Sequence, residues 1–170
     1  IYCPPCPVGI SVEKDFFDVQ CLSPVKEDSW SEPLNIRLPR EFRISDMTMV
    51  QQAAVQGKTD DKFVAAYRID FLSGGGGLES RAKRFEERES ILLSREGRKE
   101  KDIRPLVKKL EYCLHEGHPV LDAHLVCGQQ EYLSPLDFLD VLLEDRKRDY
   151  LGSTDITRKG FYCNDERIYV

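Results

Sequence analysis

From residue 63 to residue 71 the chain alternates: Phe63, Ala65, Tyr67, Ile69 and Phe71 fall on one side, and Val64, Ala66, Arg68 and Asp70 on the other. A period of two is the signature of a strand, because successive side chains leave opposite faces of a pleated backbone. Four glycines, Gly74 to Gly77, follow as a loop. Leu78, Ala82 and Phe85 then recur at helical spacing, a narrow apolar stripe on an otherwise charged segment. Glu79 and Lys83, and Lys83 and Glu87, stand four apart in the register that supports a helix. A strand that buries one face and a helix that buries one stripe must share a core.

The same reading continues along the chain. Residues 91–94 and 103–112 read as strands around the charged turn 95–102, and residues 120–127 and 156–163 as two more. Ser134-Pro135-Leu136-Asp137 is a helix start: Ser caps, Pro takes the first turn, and Asp137 stands at the acid position of a capping box. Phe138, Leu139, Val141, Leu142 and Leu143 supply its apolar face. The order from Phe63 onward is β, α, β, β, β, α, β, which predicts an α+β fold with a ferredoxin-like sandwich. Before it, residues 16–22 read as a strand ended by Pro24. A helix entering at Ser31-Glu32-Pro33-Leu34 is stopped by Pro39, and residues 42–50 read as a second strand. We therefore expect two ferredoxin-like α/β sandwich modules with mostly antiparallel sheets. The first spans 1–58 and is incomplete; the second spans 59–170.

At 170 residues and 41% hydrophobic, the chain can bury a core. No apolar run approaches the roughly 20 residues of a membrane helix. The chain opens on Ile1 without a basic-then-apolar leader pattern, which we read as a processed or truncated start. Six cysteines (Cys3, Cys6, Cys21, Cys113, Cys127 and Cys163) are scattered, and three of them sit inside apolar strand-like stretches. That is how free thiols behave as small hydrophobes, so a reducing, cytoplasmic compartment is expected.

Net charge is -5, which argues against a general nucleic-acid binder. The charge is uneven, however, and residues 79–109 are net basic. Within that segment Arg95, Arg98, Lys99, Lys101, Asp102, Arg104, Lys108 and Lys109 form the candidate surface for a substrate or partner; the alternative is a solvated helix and hairpin rich in both signs. Asp102 and Arg104, two apart on an expected strand, share a face and can pair with each other or with a ligand.

Metal chemistry has two candidate clusters. Cys3-Pro-Pro-Cys6 has C-x-x-C spacing, but zinc wants four ligands and the sequence holds no second C-x-x-C. Cys113, His115 and His118, with His124 nearby, bring thiol and imidazole together, yet His115-Glu-Gly-His118 also reads as an exposed turn. The four-glycine loop lacks the lysine and hydroxyl of a phosphate-binding loop.

Three segments together resemble a known family. Pro4-Pro5-Cys6-Pro7-Val8-Gly9-Ile10 with Phe17-Asp18-Val19 is similar to its PPLPVG segment and following strand. Leu34-Asn35 with Leu38-Pro39 is similar to its helix end. Lys101-Asp102-Ile103-Arg104-Pro105-Leu106, Ser134-Pro135 and Arg158-Lys159-Gly160-Phe161-Tyr162 are similar to its C-terminal half. The chain thus resembles the uncharacterised bacterial radical SAM-linked family, whose members are encoded beside, or fused to, a radical SAM protein. Cys6 stands where that family has Leu, and its members carry an earlier strand and long helix.

The resemblance implies an accessory protein that positions a substrate, RNA being the class expected, for a radical SAM partner. No Cys-x3-Cys-x2-Cys occurs here, so the iron–sulfur cluster and S-adenosylmethionine are expected on the partner, with no cofactor of this chain's own. Two other readings stay open. One is a stand-alone RNA-binding module stacking bases on Tyr67, Phe71 and Tyr112. The other is an enzyme using Asp102, Arg104 and His118.

Overall fold

A computed structural model describes residues 6–13, 30–40, 42–44, 63–95, 97, 99–128, 131–145, 147–163 and 166–167. The chain divides into two compact units, one made of residues 3–16 with 61–170 and the other of residues 17–60. The division expected near Lys58 and the strand expected at 16–22 lie outside the described residues.

In the smaller unit, helix α1 spans Ser31–Arg37. Its N-cap is Trp30, with no side-chain cap, and Ser31 is the first helical residue. Pro33 fits the first turn, where an N–H has no intrahelical partner to lose. Asn35 holds the return of the chain: its Nδ2 donates to Ile44 O at 2.9 Å, and Ile44 N donates to its Oδ1 at 2.8 Å. Residues 42–44 are not in a strand, and the rest of the stretch expected as one, 45–50, lies outside the described residues.

The larger unit is a mixed α+β layer. Strand β1 is Ser11–Val12 and β2 is Phe63–Phe71, followed by helix α2 at Leu78–Glu87. A short hairpin comes next, β3 at Leu92–Leu93 and β4 at Lys101–Asp102, which pair with each other as a separate two-stranded sheet. Strands β5 (Val107–His115) and β6 (His118–Val126), helix α3 (Pro135–Leu143), β7 (Thr154–Cys163) and β8 (Glu166–Arg167) complete it. The main sheet runs β1-β7-β2-β6-β5, with β8 also on β7. Every pairing in it is antiparallel except β1 with β7.

The alternation in β2 is used as the sequence implies. Ala65, Tyr67, Ile69 and Phe71 are buried with Leu78, Ala82 and Phe85 of α2 and Phe138, Leu139 and Leu142 of α3. Phe85 and Phe138 meet edge to face, with ring centroids 5.4 Å apart, so the two helices share one aromatic contact above the sheet. Opposite β2, the register slips between Ala66 and Tyr67: Ala66 pairs Gly160, whereas Tyr67 pairs Arg158. The bulge at Lys159 puts Ile156, Arg158 and Phe161 level with the core-facing residues of β2. Arg158 is consequently buried, its guanidinium 4.7 Å from the Phe161 ring centroid.

Two local expectations need correction. The strand expected at 103–112 starts only at Val107, because Arg104–Leu106 forms a 3-10 turn with Pro105 inside it. A proline there has no N–H for a ladder and a fixed φ that suits a turn. The base-stacking candidates Tyr67 and Phe71 point into the core at 3% exposure each, and Tyr112 is half-buried against it. They are packing residues.

Burial also raises the phenols of Tyr67 and Tyr150 above the ordinary tyrosine value of about 10; for Tyr150 a hydrogen bond to Asp140 adds to the effect. A raised folded-state value favours the native state fully below the unfolded value, and the benefit is lost as pH climbs toward the folded one. We therefore expect stability, followed by urea titration at fixed temperature, to hold between pH 7 and 9 and to fall progressively above pH 10. A flat profile through pH 11.5 would contradict the burial of these phenols.

Candidate functional site

Asp102 organises the hairpin that carries much of the charged stretch. Its Oδ1 accepts from Ile91 N at 2.9 Å and from Arg104 N at 3.0 Å, while Ile103 N donates to Ile91 O at 2.8 Å. The Ile91 bond, then the Arg104 bond, hold the Asp102 carboxyl below the usual carboxylate range. The Arg104 guanidinium turns elsewhere, donating to Val107 O and Glu86 O at 3.3 Å each and lying 6.0 Å from the Phe85 ring centroid. Asp102 and Arg104 are thus joined through a backbone amide rather than as a side-chain ion pair facing a ligand. Both groups secure the hairpin against α2.

With the hairpin fixed, Arg95, Lys99 and Lys101 line one cleft of about 500 Å³. Its opposite wall is Tyr132 to Ser134, the first turn of α3 with Leu136 and Asp137, and Arg148; Leu93 closes the apolar side. Helix α3 starts here because Ser134 is its N-cap, with Oγ accepting from Leu136 N at 3.3 Å, and Pro135 occupies the first turn. The start is the one the sequence implies, but Asp137 does something else. Its buried carboxylate pairs with Arg95, and Arg148 lies 3.6 Å away on its other oxygen.

Arg148 is held by a second acid. It donates through Nε and a terminal nitrogen to both oxygens of Asp140 at 3.0–3.1 Å, a forked geometry. The Tyr150 hydroxyl donates to Asp140 Oδ1 at 2.8 Å, with Leu136 O at 3.2 Å. Lys101 Nζ donates to Tyr132 O at 3.1 Å. Burial raises the half-buried Tyr132 phenol above its ordinary value. Lys99 is exposed and makes no ion pair among the described residues. The cleft therefore combines four cationic side chains with an apolar lining of Leu93, Leu133, Leu136 and Tyr132.

The other sequence candidates lie elsewhere. Lys108 and Lys109 are exposed on β5, outside the cleft, and Lys109 pairs with Glu111 at 2.9 Å. Arg98 lies outside the described residues. Of the metal candidates, Cys3 is likewise outside them, and Cys6 is half-buried with Sγ 3.8 Å from Ile10 O. Cys113 is exposed on β5. His115 and His118 flank the tight turn Glu116-Gly117, whose φ values of 51° and 84° are both positive, as a two-residue hairpin demands. His124 stacks on Tyr162 with centroids 5.0 Å apart. Among the described residues, no three His, Cys, Asp or Glu side chains come together in a metal-holding group. In the glycine loop, Gly75 is there for space: a Cβ would lie 2.4 Å from Pro119 Cγ.

Three residues of the cleft and its support were missed by sequence reasoning: Asp137 as an ion-pair partner, Arg148, and Asp140, which holds Arg148. A signal existed, since Asp137 and Asp140 stand three apart and so share a helix face. Arg148 carried none, because its approach depends on a backbone in the left-handed region at φ 62°.

Fold and cleft together define a mixed α+β protein with a cationic, partly apolar cleft at the start of α3. Among the described residues no helix is long and apolar enough to cross a membrane. The chain belongs to the bacterial family described as an uncharacterised protein conserved in bacteria (DUF2344), whose pattern matches residues 1–135. No curated protein and no solved structure matches it. The matched region contains Arg95, Lys99, Lys101 and Tyr132; Asp137, Asp140 and Arg148 lie beyond it.

Proposed function

We propose that this chain is a cytoplasmic accessory module of a radical SAM enzyme. It holds an RNA substrate in the basic cleft and leaves the radical chemistry to the partner, which carries the iron–sulfur cluster and S-adenosylmethionine. The observation that carries this reading is the convergence of Arg95, Lys99 and Lys101 with Arg148 on one cleft. Cations gathered in a concave site attract phosphate far more than the same charges spread over a surface. The radical SAM link draws on the resemblance of the segments around Cys6, Leu34 and Lys101. The absence of Cys-x3-Cys-x2-Cys from the sequence agrees with a borrowed cluster. Cys113, exposed on β5 and in no disulfide, agrees with a reducing compartment. The order β7-β2-β6-β5, with α2 following β2 and α3 following β6, supports a ferredoxin-like sandwich for the larger unit.

Two measurements test the proposal. Tagged chain expressed in a bacterial host is expected to retain an iron–sulfur protein, visible as brown colour and by iron analysis of the eluate. Single-stranded RNA should bind with salt dependence, and the double variant Lys99→Glu/Lys101→Glu should flatten the log–log salt slope by about 1.4, roughly 0.7 for each lost phosphate contact. RNA binding without any retained iron–sulfur protein would favour a stand-alone RNA-binding module. Neither result would end both readings.

A further inference from the structure

Charge and size narrow what the cleft takes. Four of its lining residues are cationic: Arg95, Lys99, Lys101 and Arg148. Two carboxylates answer them, Asp137 within the cleft and Asp140 on Arg148. Among the described residues this leaves two positive charges in excess. An internal phosphodiester brings one negative charge per phosphate, whereas a terminal phosphomonoester brings about 1.5 to 2 at neutral pH. A volume of about 500 Å³ is in the range of small-ligand sites. It suits one nucleotide better than a stretch of backbone. The lining is mixed in the way a nucleotide is, with Tyr132, Leu93, Leu133 and Leu136 set among the cations: Leu93 is the cross-strand partner of Lys101, and Lys101 Nζ reaches Tyr132 O.

The ion pairs provide a way to admit the phosphate. Arg95 is about two-fifths exposed while its partner Asp137 is buried. Arg148 already stands 3.6 Å from the other oxygen of Asp137. If Arg95 swings toward an incoming phosphate, Asp137 keeps a cation beside it, and the costly state of a buried carboxylate left alone is avoided. We infer that the cleft is a nucleotide-sized site for a terminal phosphomonoester, with Arg95 exchanging Asp137 for the phosphate while Lys99 and Lys101 complete the charge. This rests on the proposed RNA-holding function and names the part of the RNA that is held.

The test is equilibrium titration of the full chain with one ribotetranucleotide in three forms: 5′-phosphorylated, 3′-phosphorylated and unphosphorylated at both ends. One phosphorylated form is expected to bind at least ten-fold more tightly than the unphosphorylated form. That advantage should shrink as pH falls from 7.5 to 5.5 and the phosphate loses its second charge near pH 6. Arg95→Gln should abolish it, and Lys99→Gln, at an exposed residue that folding does not depend on, should reduce it several-fold. Equal, salt-sensitive binding of all three forms would overturn this inference and leave the RNA-holding function standing. A phosphate advantage that survives in both variants would also overturn it. Binding of none would overturn both.

Discussion

Phe138→Ala is expected to destabilise the chain by about 3–5 kcal/mol, the usual cost of emptying a buried aromatic site. Phe138 is fully buried and its ring meets Phe85 edge to face. Truncation removes apolar area, the aromatic pair and the filling between α2 and α3 together. The helices sit on a sheet whose strands are hydrogen-bonded along their length, so the site collapses poorly and much of the void remains. Urea denaturation of the two proteins measures the loss. Phe138→Leu, which keeps most of the volume, should lose less than half as much. A cost below 1 kcal/mol for the alanine variant would mean that the two helices do not share this contact.

Asp140→Ala is expected to cost about 2–3 kcal/mol. One carboxylate receives the Arg148 fork and the Tyr150 hydroxyl, and its side chain is only 14% exposed. Removing it leaves Arg148, among the described residues, only the 3.6 Å approach to Asp137, and leaves the buried Tyr150 hydroxyl with Leu136 O alone. The figure stays below that of a fully buried pair because the Arg148 side chain is 37% exposed and water screens it. Asp140→Asn preserves an acceptor for Tyr150 and should lose roughly half as much. Anion binding separates support from recognition. Arg148 released from Asp140 should hold phosphate at least as well as before, so the alanine variant is expected to be less stable but no weaker as a binder. A variant that keeps its stability and loses RNA binding would make Asp140 part of the recognition surface instead.

Much of the fold was legible because it is written in local periodicity. The two-residue period of β2 and the stripe Leu78, Ala82, Phe85 each describe one element facing one core, and burial follows both patterns. The start of α3 was legible for the same reason: Ser134 and Pro135 satisfy a local need of the backbone. Reading failed where a residue's neighbours come from elsewhere in the chain. Asp102 and Arg104 looked like a pair on one strand. Pro105 turns the backbone, and their side chains serve different segments. Tyr67 and Phe71 were stacking candidates only for a stand-alone RNA-binding module; their place in the two-residue period already pointed to the core, where they lie.

Sequence alone carries the main strands and helices from Phe63 onward, their order, and the gathering of positive charge between residues 79 and 109. Periodicity and capping act within a few residues, and a single chain displays them in full. Which of those charges meet was set by packing. It brought Arg95, Lys99 and Lys101 across from Asp137 and Arg148, sent Lys108 and Lys109 to a strand edge, and buried Arg158 in the core. Electrostatic partnership depends on distance through space, and distance through space is set by how sheet and helices pack.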